Sequence, residues 1–335
     1  MFYYTKAISK RYNCGMANFF HRLQALRQSR PMPCIISIGS ENCAYAPYHA
    51  RGKNCYRLVG HVLSEDCYYG FWVGVCRDCT DCAFTEKSEL CYECVDIQEC
   101  YSCNFCRDCW HCSDCNFCYD CKGCQNCFGC VNLRNKQFHI FNKSYSRDEY
   151  FEKMLALKKT YQTLGSPPPE FLDLQSQLPR IAIQGFNNEN VVGDHIFNSK
   201  NAFYCFDVSE QEDTSYIFNS HHIKDCMDLN YSSIGTEMCY MCHSGVTLFN
   251  SNFCSVCWYS QNLEYCEYVF NSHDCFGCVS RNHAEYEILN QKYSKDEYFK
   301  KVAQIKDELK ADGSYGNWWW ESPYEDVKPF SSFMA

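Results

Sequence analysis

Cysteine is the residue that could do chemistry in this chain, and its spacing is three. Between Cys91 and Cys130, thirteen cysteines share one three-residue phase: Cys91, Cys94, Cys100, Cys103, Cys106, Cys109, Cys112, Cys115, Cys118, Cys121, Cys124, Cys127 and Cys130, broken only at Ile97. Cys34, Cys43, Cys55, Cys67, Cys76, Cys79 and Cys82 hold the same phase upstream. Cys-x2-Cys lets two thiolates reach one zinc at about 2.3 Å, and four sulfurs close a tetrahedral site. On that chemistry Cys100, Cys103, Cys106, Cys109, Cys112, Cys115, Cys118, Cys121, Cys124, Cys127 and Cys130 are the candidate zinc ligands, and His111 could replace one. Iron–sulfur ligation needs Cys-x2-Cys-x2-Cys and a remote cysteine, which the run supplies many times over.

The spacing also has a plainer source. Where every third residue is cysteine, every neighbouring pair is Cys-x2-Cys. A free cysteine behaves as a small buried hydrophobe, and Ser, Thr, Gly, Val and Ile at some positions of the phase suit packing. Ile97 does not suit a ligand position. Three uses therefore stay open: a ladder of buried thiols, metal ligation, and ladder disulfides, the last requiring export or an oxidising particle.

Other chemistry is sparse. There is no G-x-S-x-G, P-loop, G-x-G-x-x-G or H-E-x-x-H. His221 and His222 with Asp225 and Cys226 form the best polar cluster, which a solvated turn explains. Asn187, Asn188, Glu189 and Asn190 read as turn residues. Paired carboxylates do not recur in register, so a β-helix enzyme acting on polysaccharide has little to work with.

The elements that must position the cysteines repeat every twelve residues. From Glu41 eight blocks follow, with Cys43, Cys55, Cys67, Cys79, Cys91, Cys103, Cys115 and Cys127 at their third positions, mostly preceded by Asn or Asp. Fixed-period self-similarity marks a solenoid. Asn, Asp, Gly, Cys and aromatics disfavour helix and suit short strands with polar turns. The expected fold is mainly β: a cysteine-rich β-solenoid in two arrays, each followed by an amphipathic helix. Twelve residues could be one small triangular coil or half of a larger one.

The second half repeats the first. Residues 127–154 align without gaps onto 275–302, with fourteen of twenty-eight positions identical. Four copies of Phe-Asn-Ser begin at Phe197, Phe218, Phe249 and Phe270, and Cys242, Cys254, Cys266 and Cys278 step by twelve. Ser146 with Glu149 and Ser294 with Glu297 have the capping-box spacing. The expected organisation is an N-terminal cap (1–40, with a helix over 18–28 covering the first turn of an array), a first array (41–145), a helix (146–161) and Pro-rich linker to 189, a degenerate second array (190–293), and a helix (294–311) with a Trp-rich tail to 335. Trp318, Trp319 and Trp320 are expected to cap an open end.

A net charge of −9 without a basic stripe argues against nucleic acid as a partner. No run reaches the roughly 18 apolar residues of a membrane span. Met1 to Lys10 does not resemble a secretory signal, so the reducing cytoplasm is the expected compartment, with incorporation into a particle left open. A protein partner or self-assembly is the expected interaction.

The residues NCFGCVNLRNK…IFNKSYSRDEY (126–150), CFGCV…ILNQKYSKDEY (275–298) and the linking NNEN…GDHIFNSKN resemble a group of uncharacterised cysteine-rich repeat proteins of candidate-phyla bacteria and large viruses. The resemblance spans roughly residues 30–310. It implies a repeat array with a zinc-ribbon-like N-terminal segment, from which this chain departs, because Cys14 and Cys34 have no Cys-x2-Cys near them. The tail departs as well from the Trp/Phe-rich ending of that group. Such chains sometimes carry a CaiB/BaiF CoA-transferase label, a chemistry no motif here supports. The function expected from the sequence is a non-enzymatic structural or interaction scaffold, with zinc or iron–sulfur binding as the alternative and a polysaccharide-acting enzyme as the second.

Overall fold

The computed structural model of the chain describes residues 19–31, 37–46, 49–58, 60–69, 113–161, 166–231 and 234–317. These are mainly β, and the strands pair in parallel except for one closing antiparallel hairpin in each half. The chain divides into two compact units, Pro33–Arg180 and Met1–Met32 with Ile181–Ala335.

Sheet neighbours are twelve residues apart. Ser37 pairs with His49 and His49 with His61; Ser113 pairs with Gln125 and Gln125 with Gln137. In the other unit His243, Ser255, Glu267 and Val279 follow one another at the same step. Within each twelve residues the backbone repeats every three. A residue with φ near +50° stands directly before each buried position, as Asn42 before Cys43, Asn54 before Cys55, and Asp114, Phe117 and Asp120 before Cys115, Cys118 and Cys121. Asn and Asp recur there because the left-handed conformation costs them least. That is why they precede the cysteines in sequence. Each twelve-residue repeat thus contains four three-residue segments.

The buried positions carry mixed side chains of restrained total size. Cys115, Cys118, Cys121 and Cys124 fill one set of four; Ser199, Ala202, Cys205 and Val208 fill another; Leu248 is joined by Ser251, Cys254 and Cys257. A large residue in a set is balanced by small ones, as close packing requires.

The second unit slips phase twice. Pairing steps are eleven from Val192 to Phe203 and twelve from Gly193 to Cys205. Gly193 has φ +148°, and a Cβ there would lie 1.8 Å from the Cys205 carbonyl oxygen, so only glycine fits. Further on, His221 pairs with Ile234 and Met227 with Tyr240, a step of thirteen. One inserted residue moves the buried phase from Cys226 and Leu229 to Thr236, Cys239 and Cys242.

Among the described residues four helices flank the strands: α1 (Phe19–Gln28), α2 (Arg147–Tyr161), α3 (Pro169–Gln177) and α4 (Lys295–Ala311). Helices α2 and α4 start from matching caps. The Ser146 and Ser294 backbone N–H groups donate to Glu149 and Glu297 at 2.9 and 3.3 Å. Each buries residues four apart, Tyr150 with Met154 and Tyr298 with Val302, against aromatic and aliphatic side chains that point outward from the strands. Burial of each such side chain contributes about 1.5–3 kcal/mol.

Two expectations change. Helix α1 does not cover the first turn of an array; Phe19 packs on Tyr265 and Phe276, with centroids 5.9 and 5.0 Å away, and Arg27 pairs with Glu267 at 2.7 Å. It therefore lies against the side of the second unit. The Pro-rich linker holds helix α3, which Pro169 opens at its first position, where the missing N–H costs nothing, and whose Phe171 is buried beside α2 and the first-unit strands. Ile97 and Trp318–Trp320 lie outside the described residues.

Leu58 and Leu63 separate the two faces cleanly, being 0% and 51% exposed, with Leu63 at φ +59°. Leu58→Asp should lower unfolding stability by several kcal/mol, since it buries an unpaired charge. Leu63→Asp should change it by less than about 1 kcal/mol, Asp tolerating the left-handed backbone better than Leu. Equal losses in urea titrations of the two variants would overturn the assignment of faces.

Candidate functional site in the cysteine columns

The eighteen described cysteines are free thiols, and all but Cys43 are buried. Of the sequence-predicted ligands, Cys115, Cys118, Cys121, Cys124, Cys127 and Cys130 are 0–1% exposed in one core. Cys100, Cys103, Cys106, Cys109, Cys112 and His111 lie outside the described residues.

Each sulfur has a fixed backbone partner. The Cys115 Sγ–H lies 3.4 Å from the carbonyl of Ser113 and 3.5 Å from that of Cys124; Cys118 and Cys121 face the carbonyls two residues back and nine residues on in the same way. These carbonyls already accept a backbone N–H from a neighbouring strand, as the Cys124 carbonyl does from Ser113. The thiol uses the second lone pair. The second unit repeats the pattern with hydroxyls. Ser272 Oγ–H donates to the Phe270 carbonyl at 2.7 Å and accepts from the Ala284 N–H at 2.9 Å. Phe-Asn-Ser is therefore one corner: Phe outward, Asn left-handed, Ser inward with the hydrogen bonds a cysteine makes elsewhere.

Thiols also touch one another. Cys118 is pushed well above the ordinary thiol range by hydrogen bonds to the sulfurs of Cys115, Cys121 and Cys130, and by burial. Cys130 accepts from Cys118 and Cys127, which draws it down to about 5. Cys242 is drawn down to about 5 by the thiols of Cys239 and Cys254. Neighbouring sulfurs thus influence one another along Cys115–Cys130 in one core and Cys239–Cys254 in the other. Among the described residues no three His, Cys, Asp or Glu side chains converge in a geometry that could hold a metal ion.

The carboxylates that burial might have tuned for catalysis are paired instead. Glu267, 2% exposed, holds Arg27 at 2.7 Å. Asp120, 2% exposed, holds Arg134 at 2.5 Å. Glu287 sits at a buried position of the last repeat and takes Arg281 in a two-pronged pair, at 2.8 and 2.6 Å. The histidine cluster is a surface feature: His221 Nδ1 lies 2.7 Å from Ser209 Oγ, and His222 lies 2.5 Å from an exposed Glu210, each bridging adjacent repeats. Asp225 is left-handed and outward, and Cys226 points inward, so the four do not converge.

The outer face carries what the sequence did not foresee, amide ladders. Asn42 donates to Asn54 and Asn54 to Asp66, both at 2.8 Å; Asn190, Asn201 and Asp213, and Asn250, Asn262 and Asp274, repeat this at 2.7 to 3.1 Å. The signal was the twelve-residue recurrence of Asn ahead of Asp. Beside these ladders stand exposed tyrosines, including Tyr204 and Tyr216, stacked with centroids 5.2 Å apart. No described helix is long and apolar enough to cross a membrane.

No protein-family model and no curated protein sequence matches the chain. Among solved structures it is similar to a putative acetyltransferase from Desulfovibrio desulfuricans G20, with 10% identity over 84% of this chain and 80% of that one, at a TM-score of 0.16. A second is the UDP-N-acetylglucosamine O-acyltransferase (LpxA) from Moraxella catarrhalis RH4, with 12% identity over 84% and 93% and a TM-score of 0.12. Likeness at that level carries no argument about this chain.

The Arg281–Glu287 pair has an internal reference. At the equivalent positions the first unit has Leu133 and His139. Arg281→Leu alone should cost about 2–3 kcal/mol, less than a fully buried pair because the guanidinium is 37% exposed. Adding Glu287→His should recover most of that loss, since the double variant removes the orphaned carboxylate. Additive losses in thermal unfolding would mean the pair does not act as a unit.

Proposed function

We propose that the chain is a non-enzymatic structural or interaction protein, built as two β-solenoid arrays with twelve residues per coil, whose cysteines serve the fold. The observation that carries this reading is the fate of the thiols: they point inward in register and are engaged by backbone carbonyls and by each other. Groups held in that way are packing residues. The solenoid geometry is supported by the recurring parallel step, twelve residues except at the two slips in the second unit, and by the left-handed residue ahead of the inward positions. A repeat of that kind presents a long, regular outer face. Its amide ladders and exposed tyrosines suit contact with another protein or with further copies of the chain, Tyr being enriched at such surfaces.

Metal binding is the competing reading, and one observation favours it. Cys115, Cys121 and Cys130 all lie within hydrogen-bond reach of the Cys118 sulfur, so thiolates would be close neighbours there if deprotonated.

Native mass spectrometry with metal analysis and thiol counting on one fresh sample separates the two. The scaffold reading expects a metal-free mass and thirty reactive thiols after unfolding in denaturant without chelator. Zinc or iron at integer stoichiometry, with thiols blocked until a chelator is added, would overturn it in favour of a metalloprotein.

A further inference from the structure

Cys43 differs from every other described cysteine in being partly exposed. Parallel bridges Glu41–Lys53 and Ala44–Tyr56 hold it in register with Cys55 on the next repeat. Neighbouring strands stack about 4.8 Å apart, inside the ~4.4–6.8 Å range of Cα separations that a disulfide spans. The two thiols are already in hydrogen-bond contact, and Cys55 makes a second such contact with Cys67 beneath it. Among the described residues Cys43 is thus the exposed member of this column, with a buried partner directly behind its sulfur.

We propose that Cys43 and Cys55 are a thiol–disulfide exchange pair that accepts a small disulfide of the glutathione class, Cys43 attacking and Cys55 resolving. In the first step Cys55, having lost its own proton to solvent, takes the Cys43 proton across their hydrogen bond. The Cys43 thiolate then forms a bond to one sulfur of the small disulfide, whose S–S bond breaks and releases one thiolate. In the second step Cys55 gives up its proton to solvent and attacks the Cys43 sulfur, forming the Cys43–Cys55 disulfide and expelling the second thiolate. Both leaving thiolates take up the released protons, so two protein thiols are oxidised and one small disulfide is reduced to two thiols.

The local electrostatics suit these roles. A hydrogen bond from the Cys67 thiol, the largest influence, draws Cys55 down to about 7 against its burial, helped by the Cys67 N–H and the Cys43 thiol. Cys43 is raised by desolvation, so it needs a base beside it, and Cys55 is that base. The cysteines deeper in the cores lack an exposed partner among the described residues, and buried thiols are unreactive.

The test is exposure of the reduced full chain to oxidised glutathione under argon, followed by alkylation, tryptic digestion without reductant and mass spectrometry. Arg51 and Lys53 lie between the two cysteines, so the disulfide joins two peptides. The expected product is the Cys43–Cys55 cross-link. Cys55→Ala should instead accumulate glutathione on Cys43, more slowly because the base is gone, and Cys43→Ala should slow reaction at Cys55 by at least about tenfold, as for a buried thiol. A stable glutathione adduct on Cys43 in the unaltered chain, or undiminished reaction of Cys55 in Cys43→Ala, would overturn the proposal. Should Cys55→Ala fail to fold by circular dichroism, the cross-link map of the unaltered chain still decides.

Discussion

The structure depends on one constraint: every third residue must point inward into a space that admits little volume. The left-handed residue ahead of each buried position turns the backbone inward, and parallel pairing at twelve residues stacks those positions in columns. A side chain there must be small or share its set with small ones, and it does best when it can donate to a carbonyl with a lone pair to spare. Cysteine meets both conditions. So does serine, and for that reason Ser251, Ser260 and Ser272 occupy inward positions of the second unit with hydrogen bonds equivalent to those of the thiols. The degeneracy of the second array is thus a change of donor atom, from sulfur to oxygen, on the same backbone.

This constraint also decides what was legible in the sequence. The period of three and the period of twelve are written in Cys43, Cys55, Cys67, Cys115 and Cys127 because inward positions tolerate few residue types. The left-handed residue ahead of every inward position was hidden, since composition does not give backbone dihedrals. The inserted residue near 231–234 was present in two signals, the thirteen-residue gap from Cys226 to Cys239 and the Phe-Asn-Ser interval from 218 to 249, which is not divisible by three. The eleven-residue step at Gly193 left no such trace, because backbone proximity to Cys205 is a property of the folded chain alone. Helix α1 was legible from its spacing, but its seat was not. Arg27 and Glu267 are 240 residues apart, and nothing local to either names the other.

The chemistry of the cysteines was the least legible. A fold that needs an inward residue every third position writes Cys-x2-Cys wherever it uses cysteine, and a zinc site writes the same spacing. Only the partner of each sulfur separates them. In the described residues those partners are main-chain carbonyls and neighbouring thiols, which hold the side chain against the backbone that placed it. Cys43 and Cys118 share one type of backbone partner and differ in exposure.

The paired end modules show which residues the architecture holds fixed. Between residues 127–154 and 275–302 the matches fall where helix meets strand: Phe128 and Phe276, Val131 and Val279, Ile140 and Ile288, Tyr150 and Tyr298. Asn142 and Asn290 make the same two hydrogen bonds, to the backbone of Val131 and of Val279. The positions of the inward phase in the last repeat differ as a set: half-buried Leu133, exposed Lys136 and half-buried His139 against half-buried Arg281 and buried Ala284 and Glu287. A helix seat is a shaped apolar surface and allows few solutions. The last set of inward residues can hold an ion pair or a mixed polar group, provided no buried charge is left alone.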